Sequence, residues 1–99
     1  MDEAQRIHDA VNGAVSPQIE RIVNYQSYMY FIERVKLSVQ SLVFHGYIKA
    51  PVTYQVPVKF GLNPKSYTVT VSLQADLFGE LGITVHSRDL ETYVEKMSR

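Results

Sequence analysis

Cysteine and tryptophan are both absent from this 99-residue chain. Without thiols there is no disulfide, no thiolate nucleophile and no Cys-containing zinc site. Long apolar runs are missing as well, since none approaches the ~18 residues of a membrane-spanning helix. The start, Met1-Asp2-Glu3, lacks the basic and apolar regions of a signal peptide. These absences predict a cytoplasmic protein, or a component of a particle assembled inside a cell, with no membrane among its partners. Net charge is missing too, because ten Lys and Arg balance ten Asp and Glu.

What is present is enough for one α+β domain over residues 1–99, but not for a large core. A chain of this length buries only about 60–65% of the surface its unfolded form exposes. Its stability should therefore sit near the low end of about 5–15 kcal/mol unless a second chain contributes. The charges are unevenly laid out: no Asp or Glu separates Glu33 from Asp76, while Arg34, Lys36, Lys49, Lys59 and Lys65 fall in that gap. Phosphate backbones select a dense Lys/Arg stripe. These cations are too scattered for that, and nucleic acid is not expected as a partner.

Hydrophobic period orders the chain. Asp2 is placed to cap a first helix with Ala4, Ile7 and Val11 on one face, and Gly13 to stop it. Ser16-Pro17 then has the chemistry of a helix start, and no Gly or Pro follows until Gly46. The spacing predicts a long second helix over 17–45, about 43 Å if unbroken, with a kink near Gln26-Ser27 as the alternative. Tyr28, Phe31, Ile32, Val35, Val39, Leu42 and Val43 form its apolar stripe.

After Gly46 the period falls to two. Val52, Tyr54, Val56, Val58 and Phe60 predict one strand, and Tyr67, Val69, Val71, Leu73 and Ala75 a second. Placing Phe60 opposite Tyr67 aligns both apolar rows, and Pro57 marks the first strand as an edge. Asp76–Gly82 reads as a turn and Ile83–His86 as a third strand. Ser87 then caps a last helix whose inward residues are Leu90, Tyr93, Val94 and Met97. The expected fold is two N-terminal helices, the second long, a three-stranded antiparallel β-meander and a C-terminal helix, with the helices on one face of the sheet.

The residues carry little recognisable chemistry. His8, His45 and His86 come from different elements, and no HExxH, GxSxG, Walker or GxGxxG motif occurs. No catalytic, cofactor-binding or metal-binding residue is assigned, and an enzyme with His86 as base is the weakest reading. His45 fits a helix C-terminus, where the dipole favours an imidazole. The best local cluster is His86-Ser87-Arg88-Asp89, a strand end leading into a helix N-terminus, with His86, Ser87 and Arg88 as its anion-facing residues. With Lys65 from the hairpin loop, it is a candidate anion or small-ligand site.

Two surfaces point instead to a protein partner. Tyr25, Tyr28, Met29, Tyr30, Phe31 and Ile32 lie on nearly every side of the second helix. Tyrosine supplies large contact area at little entropy cost, so this segment is a candidate homo-oligomer interface. The outward hairpin face carries Thr53, Gln55, Pro57 and Lys59 beside Thr68, Thr70, Ser72 and Gln74, a single charge in eight positions where solvated sheets usually carry more Lys and Glu. A neutral hydroxyl and amide surface is desolvated at modest cost. The expected function is a non-enzymatic interaction or assembly module that associates with itself and presents its sheet to another protein.

Overall fold

In a computed structural model of the chain, which describes residues 2–15, 24–60 and 65–97, helix α1 (Glu3–Gly13) begins where Asp2 caps it. The Asp2 carboxylate accepts a hydrogen bond from the Gln5 N–H at 2.8 Å. Ile7 and Val11, one helical turn apart, are fully buried.

The second helix is shorter than its composition predicts. Asn24 is extended (φ −152°, ψ 174°) and caps α2 (Tyr25–Phe44). Its side-chain oxygen accepts from the Ser27 N–H at 2.8 Å, and the Asn24 N–H donates back to Ser27 Oγ at 3.2 Å. This reciprocal box satisfies two donors that a helix start leaves open. The expected continuous helix over 17–45 is thereby corrected: an extended residue at 24 cannot lie inside a helix, and Gln26-Ser27 is its first turn rather than a kink. The Ser16-Pro17 start lies outside the described residues. Twenty residues make a rod of about 30 Å, which fits a domain of this size. At the far end Gly46, at φ +76°, donates to Val43 O, while Tyr47 N–H reaches back to Leu42 O. These two bonds make a Schellman closure, and its left-handed residue is glycine because a side chain there would be strained.

Strands β1 (Val52–Val58), β2 (Tyr67–Ala75) and β3 (Leu81–His86) form an antiparallel sheet in that spatial order. Val58 pairs with Tyr67, Val56 with Val69 and Tyr54 with Val71. The expected pairing of Phe60 with Tyr67 is therefore two residues out of register. A two-residue shift leaves every side chain on its original face, so alternation alone does not separate the two registers. Phe60 has left the ladder and is buried edge-to-face on Phe31, with ring centres 5.0 Å apart. Strand β3 also starts two residues earlier than expected, with Ala75 opposite Leu81, so the turn narrows to 76–80.

Helix α3 (Arg88–Met97) turns Leu90 and Val94 into the core, whereas Met97, expected inward, is half exposed at the helix end. All three helices pack on the sheet face that carries Val56, Val58, Tyr67, Val69, Val71, Leu73 and Val85, making one core. Among the described residues no helix packs on the opposite face.

Candidate functional site

The core decides which part of α2 remains available. At about 100° per residue, Tyr28, Phe31, Ile32, Val35 and Val39 point to the sheet and are buried. Tyr28 and Phe31 therefore leave the candidate interface. A helix with a sheet on one side cannot spend the same side chain twice. Met29 is partly buried, while Tyr25 and Tyr30 are exposed. Diametrically opposite the core runs a second apolar line that sequence reading missed: Tyr30 is 54% exposed, Leu37 64% and Phe44 86%. The seven-residue spacing is the signal that could have found it. Leu37 and Phe44 fall off the core stripe, and with Tyr30 they make a seam of their own.

The chemistry beside this seam is weakly charged. Glu33 and Lys36 form a long ion pair at 3.9 Å, and the Arg34 guanidinium lies 5.9 Å from the centre of the Tyr30 ring. Past the end of α2, Phe44, His45 and Tyr47 continue the aromatic surface, with His45 stacked on Tyr47 at 6.0 Å and Arg6 over the Tyr47 ring at 4.1 Å. His45 Nδ1 lies 2.8 Å from Ser41 O, the helix-end role expected for it.

The sheet face opposite the core carries Thr53, Gln55 and Pro57 from β1, Thr68, Thr70, Ser72 and Gln74 from β2, and Gly82, Thr84 and His86 from β3. None is Asp, Glu, Lys or Arg. Thr53 and Ser72 face each other across the strands with hydroxyls 3.0 Å apart. The alternation that put apolar residues under the helices leaves this lattice outward.

The strand-to-helix junction has a different occupant from the expected anion. Ser87 is fully buried, and its hydroxyl donates to Asp89 Oδ1 at 2.7 Å. Asp89 also accepts from the N–H groups of Leu90 at 2.9 Å and Thr68 at 3.0 Å. Burial alone would raise its pKa, but these hydrogen bonds together hold the carboxyl below the usual carboxylate range. The Ser87 hydroxyl and the N–H groups of Leu90 and Thr68 are thus engaged by the chain's own aspartate. His86 and Arg88 are exposed beside this knot, and Lys65 Nζ stands 5.2 Å over the Tyr67 ring. Beneath the knot, Tyr28 Oη accepts from Ser87 N–H at 3.0 Å and faces Ser87 O at 3.4 Å, tying α2 to α3. Burial raises the Tyr28 pKa, and the bond to Ser87 only partly offsets this.

Sequence reading also passed over the β2–β3 turn. Leu77 is 100% exposed and Phe78 91%. Between α1 and α2 lies an open cleft of about 400 Å³ lined by Arg6, Asp9, Ala10, Ser38, Ser41 and Leu42. Among the described residues no group of three or more His, Cys, Asp or Glu is arranged to hold a metal, and no helix is long and apolar enough to cross a membrane. No protein-family model, curated protein or solved structure matches the chain.

Proposed function

We propose that the protein is a non-enzymatic assembly module that pairs with a second copy through the outer face of α2 and offers its neutral sheet face to another protein, as an adaptor, inhibitor or structural subunit. The observation that carries this reading is the seam of Tyr30, Leu37 and Phe44, three large apolar side chains in line on the side of α2 that faces away from the core.

The seam is self-complementary. A two-fold interface brings the same patch to itself. Two antiparallel copies of α2 aligned on Leu37 set Tyr30 against Phe44, Arg34 against Gln40 and Glu33 against Ser41. No like charges meet, and each charge finds a neutral hydrogen-bonding group. The 20° drift of a seven-residue seam per heptad suits two helices crossing at about 20°.

Leu37→Lys tests the pairing directly. On the free helix the new ammonium gains Glu33 at i−4, so the fold keeps its stability. On the two-fold axis it meets its own copy. The expected result is loss of the dimer by light scattering with an unchanged far-UV spectrum; a variant with the mass of the wild type would refute pairing through this face.

A further inference from the structure

We propose that the outer edge of β3 receives an extended strand of a partner protein, which adds to the sheet beside α2. This rests on the reading that the sheet is offered to another protein and says how the partner grips it, by strand addition at the edge. It does not depend on the α2 pair.

Backbone parity identifies the open groups. Asp76 N–H donates to Glu80 O at 2.9 Å, and these two residues continue the register that sets Gln74 against Gly82. Antiparallel ladders bond at every second residue, so Gly82, Thr84 and His86 turn their N–H and C=O groups to β2. Leu81, Ile83 and Val85 turn theirs outward. Ser87 is next in that outward row, and there Tyr28 Oη accepts from its N–H at 3.0 Å and faces its carbonyl at 3.4 Å. The tyrosine hydroxyl takes the place of a fourth strand at Ser87, and among the described residues no strand continues the row.

The edge also lacks the usual protection. Edge strands are blunted by proline and by charge, above all lysine. Strand β1 carries Pro57 and is followed by Lys59, whereas Leu81-Gly82-Ile83-Thr84-Val85-His86 has no Pro, Lys, Arg, Asp or Glu.

Sterics and charge select the occupant. Helix α1 packs on β1 and α2 on β3. Ser38, Ser41 and Leu42 line the cleft shared with α1, so at about 100° per residue the flank of α2 on the open side of β3 carries Met29, Lys36 and Val43. Two β3 edges paired about a two-fold axis would put both α2 helices on one side of the joined sheet, over strands only about 4.8 Å apart. Helix axes keep about 8–10 Å between them. A lone strand brings no such helix, so the edge suits a partner's extended segment and not a second β3. Run antiparallel, that segment sets apolar side chains opposite Leu81, Ile83 and Val85 and neutral ones opposite Gly82 and Thr84. Glu80 selects a cation at its C-terminal end, and the exposed Arg88, past His86, an anion at its N-terminal end.

The probe is the peptide acetyl-EVTVTVK-amide, read by amide hydrogen exchange and NMR shifts on the full chain. In the free protein the Leu81, Ile83 and Val85 N–H groups should exchange faster than those of Gly82 and Thr84. Excess peptide should slow the first three and leave the other two as they were. Proline at the central valine, EVTPTVK, should bind about tenfold more weakly or worse, because it removes a ladder donor. Glu80→Lys changes an exposed side chain and should move the preference from EVTVTVK toward EVTVTVE by about two- to fivefold. The proposal is overturned if the three outward amides are as protected as Thr84 in the free chain, or if their protection deepens with protein concentration, as a second copy's strand would cause. It is equally overturned if peptide leaves their exchange unchanged or if EVTPTVK binds as well. Peptide that shifts Thr70 and Ser72 without protecting these amides overturns strand addition and leaves the sheet-face reading standing. Leu37→Lys should bind the peptide like wild type, so failure of the α2 pair and failure of the edge are read separately.

Discussion

Two side chains near the strand-to-helix junction carry most of the polar accounting of the core. Tyr28 is buried for its ring and anchored by its hydroxyl, which serves the backbone of Ser87. Tyr28→Phe keeps the ring but orphans a buried N–H, which costs about 1–3 kcal/mol; urea denaturation should show this loss with an unchanged m-value. Asp89 keeps its charge to lower pH than an exposed acid. Its pKa is lowered on folding, so its contribution to stability is present above the unfolded value near 3.8 and is lost as pH falls through the folded value. Unfolding curves recorded from neutral pH down to strongly acidic pH should show a stability difference between wild type and Asp89→Asn that shrinks below about pH 4. Neither role was legible in the sequence. Ser87 as a cap with Asp89 in the first turn was expected, but spacing alone does not reveal that the carboxylate turns back onto the Ser87 hydroxyl and the N–H groups of Leu90 and Thr68.

At the scale of elements, alternation and helical period placed every helix and strand in the right order, because those periods reflect which side faces the core. They do not encode where a helix begins within a polar stretch. Asn24 and Ser27 did carry that information, as a capping pair three residues apart, but Ser16-Pro17 offered a competing start. They also leave a sheet register ambiguous by two residues, and the longer connection after Val58, with Phe60 turned onto Phe31, resolves it. The end of α2 is a local requirement of a different kind. Gly46→Ala meets no neighbouring atom, yet it forces a side chain into left-handed backbone. The expected loss is about 1–2 kcal/mol, measurable as a lower denaturation midpoint with the helix content intact.

For the whole molecule, the aromatic segment Tyr25–Ile32 marked α2 as a helix with exposed aromatic surface, but of its aromatic residues only Tyr25 and Tyr30 are exposed. Density of aromatics is shared between core and surface, and only the phase around the helix separates them. Tyr28 and Phe31 went to the core, and the free surface is the seam ending in Phe44. Leu77 and Phe78 were hidden because a turn has no period to read. The result is a domain with its charge balanced, its sheet face neutral and its largest exposed apolar groups gathered on α2 and the hairpin tip. The most direct test is the mass of the wild-type protein by sedimentation equilibrium from low to high micromolar concentration. Pairing through α2 predicts a mass that rises with concentration above the 11.3 kDa of one chain and a return to that value in Leu37→Lys. A single-chain mass throughout would contradict it.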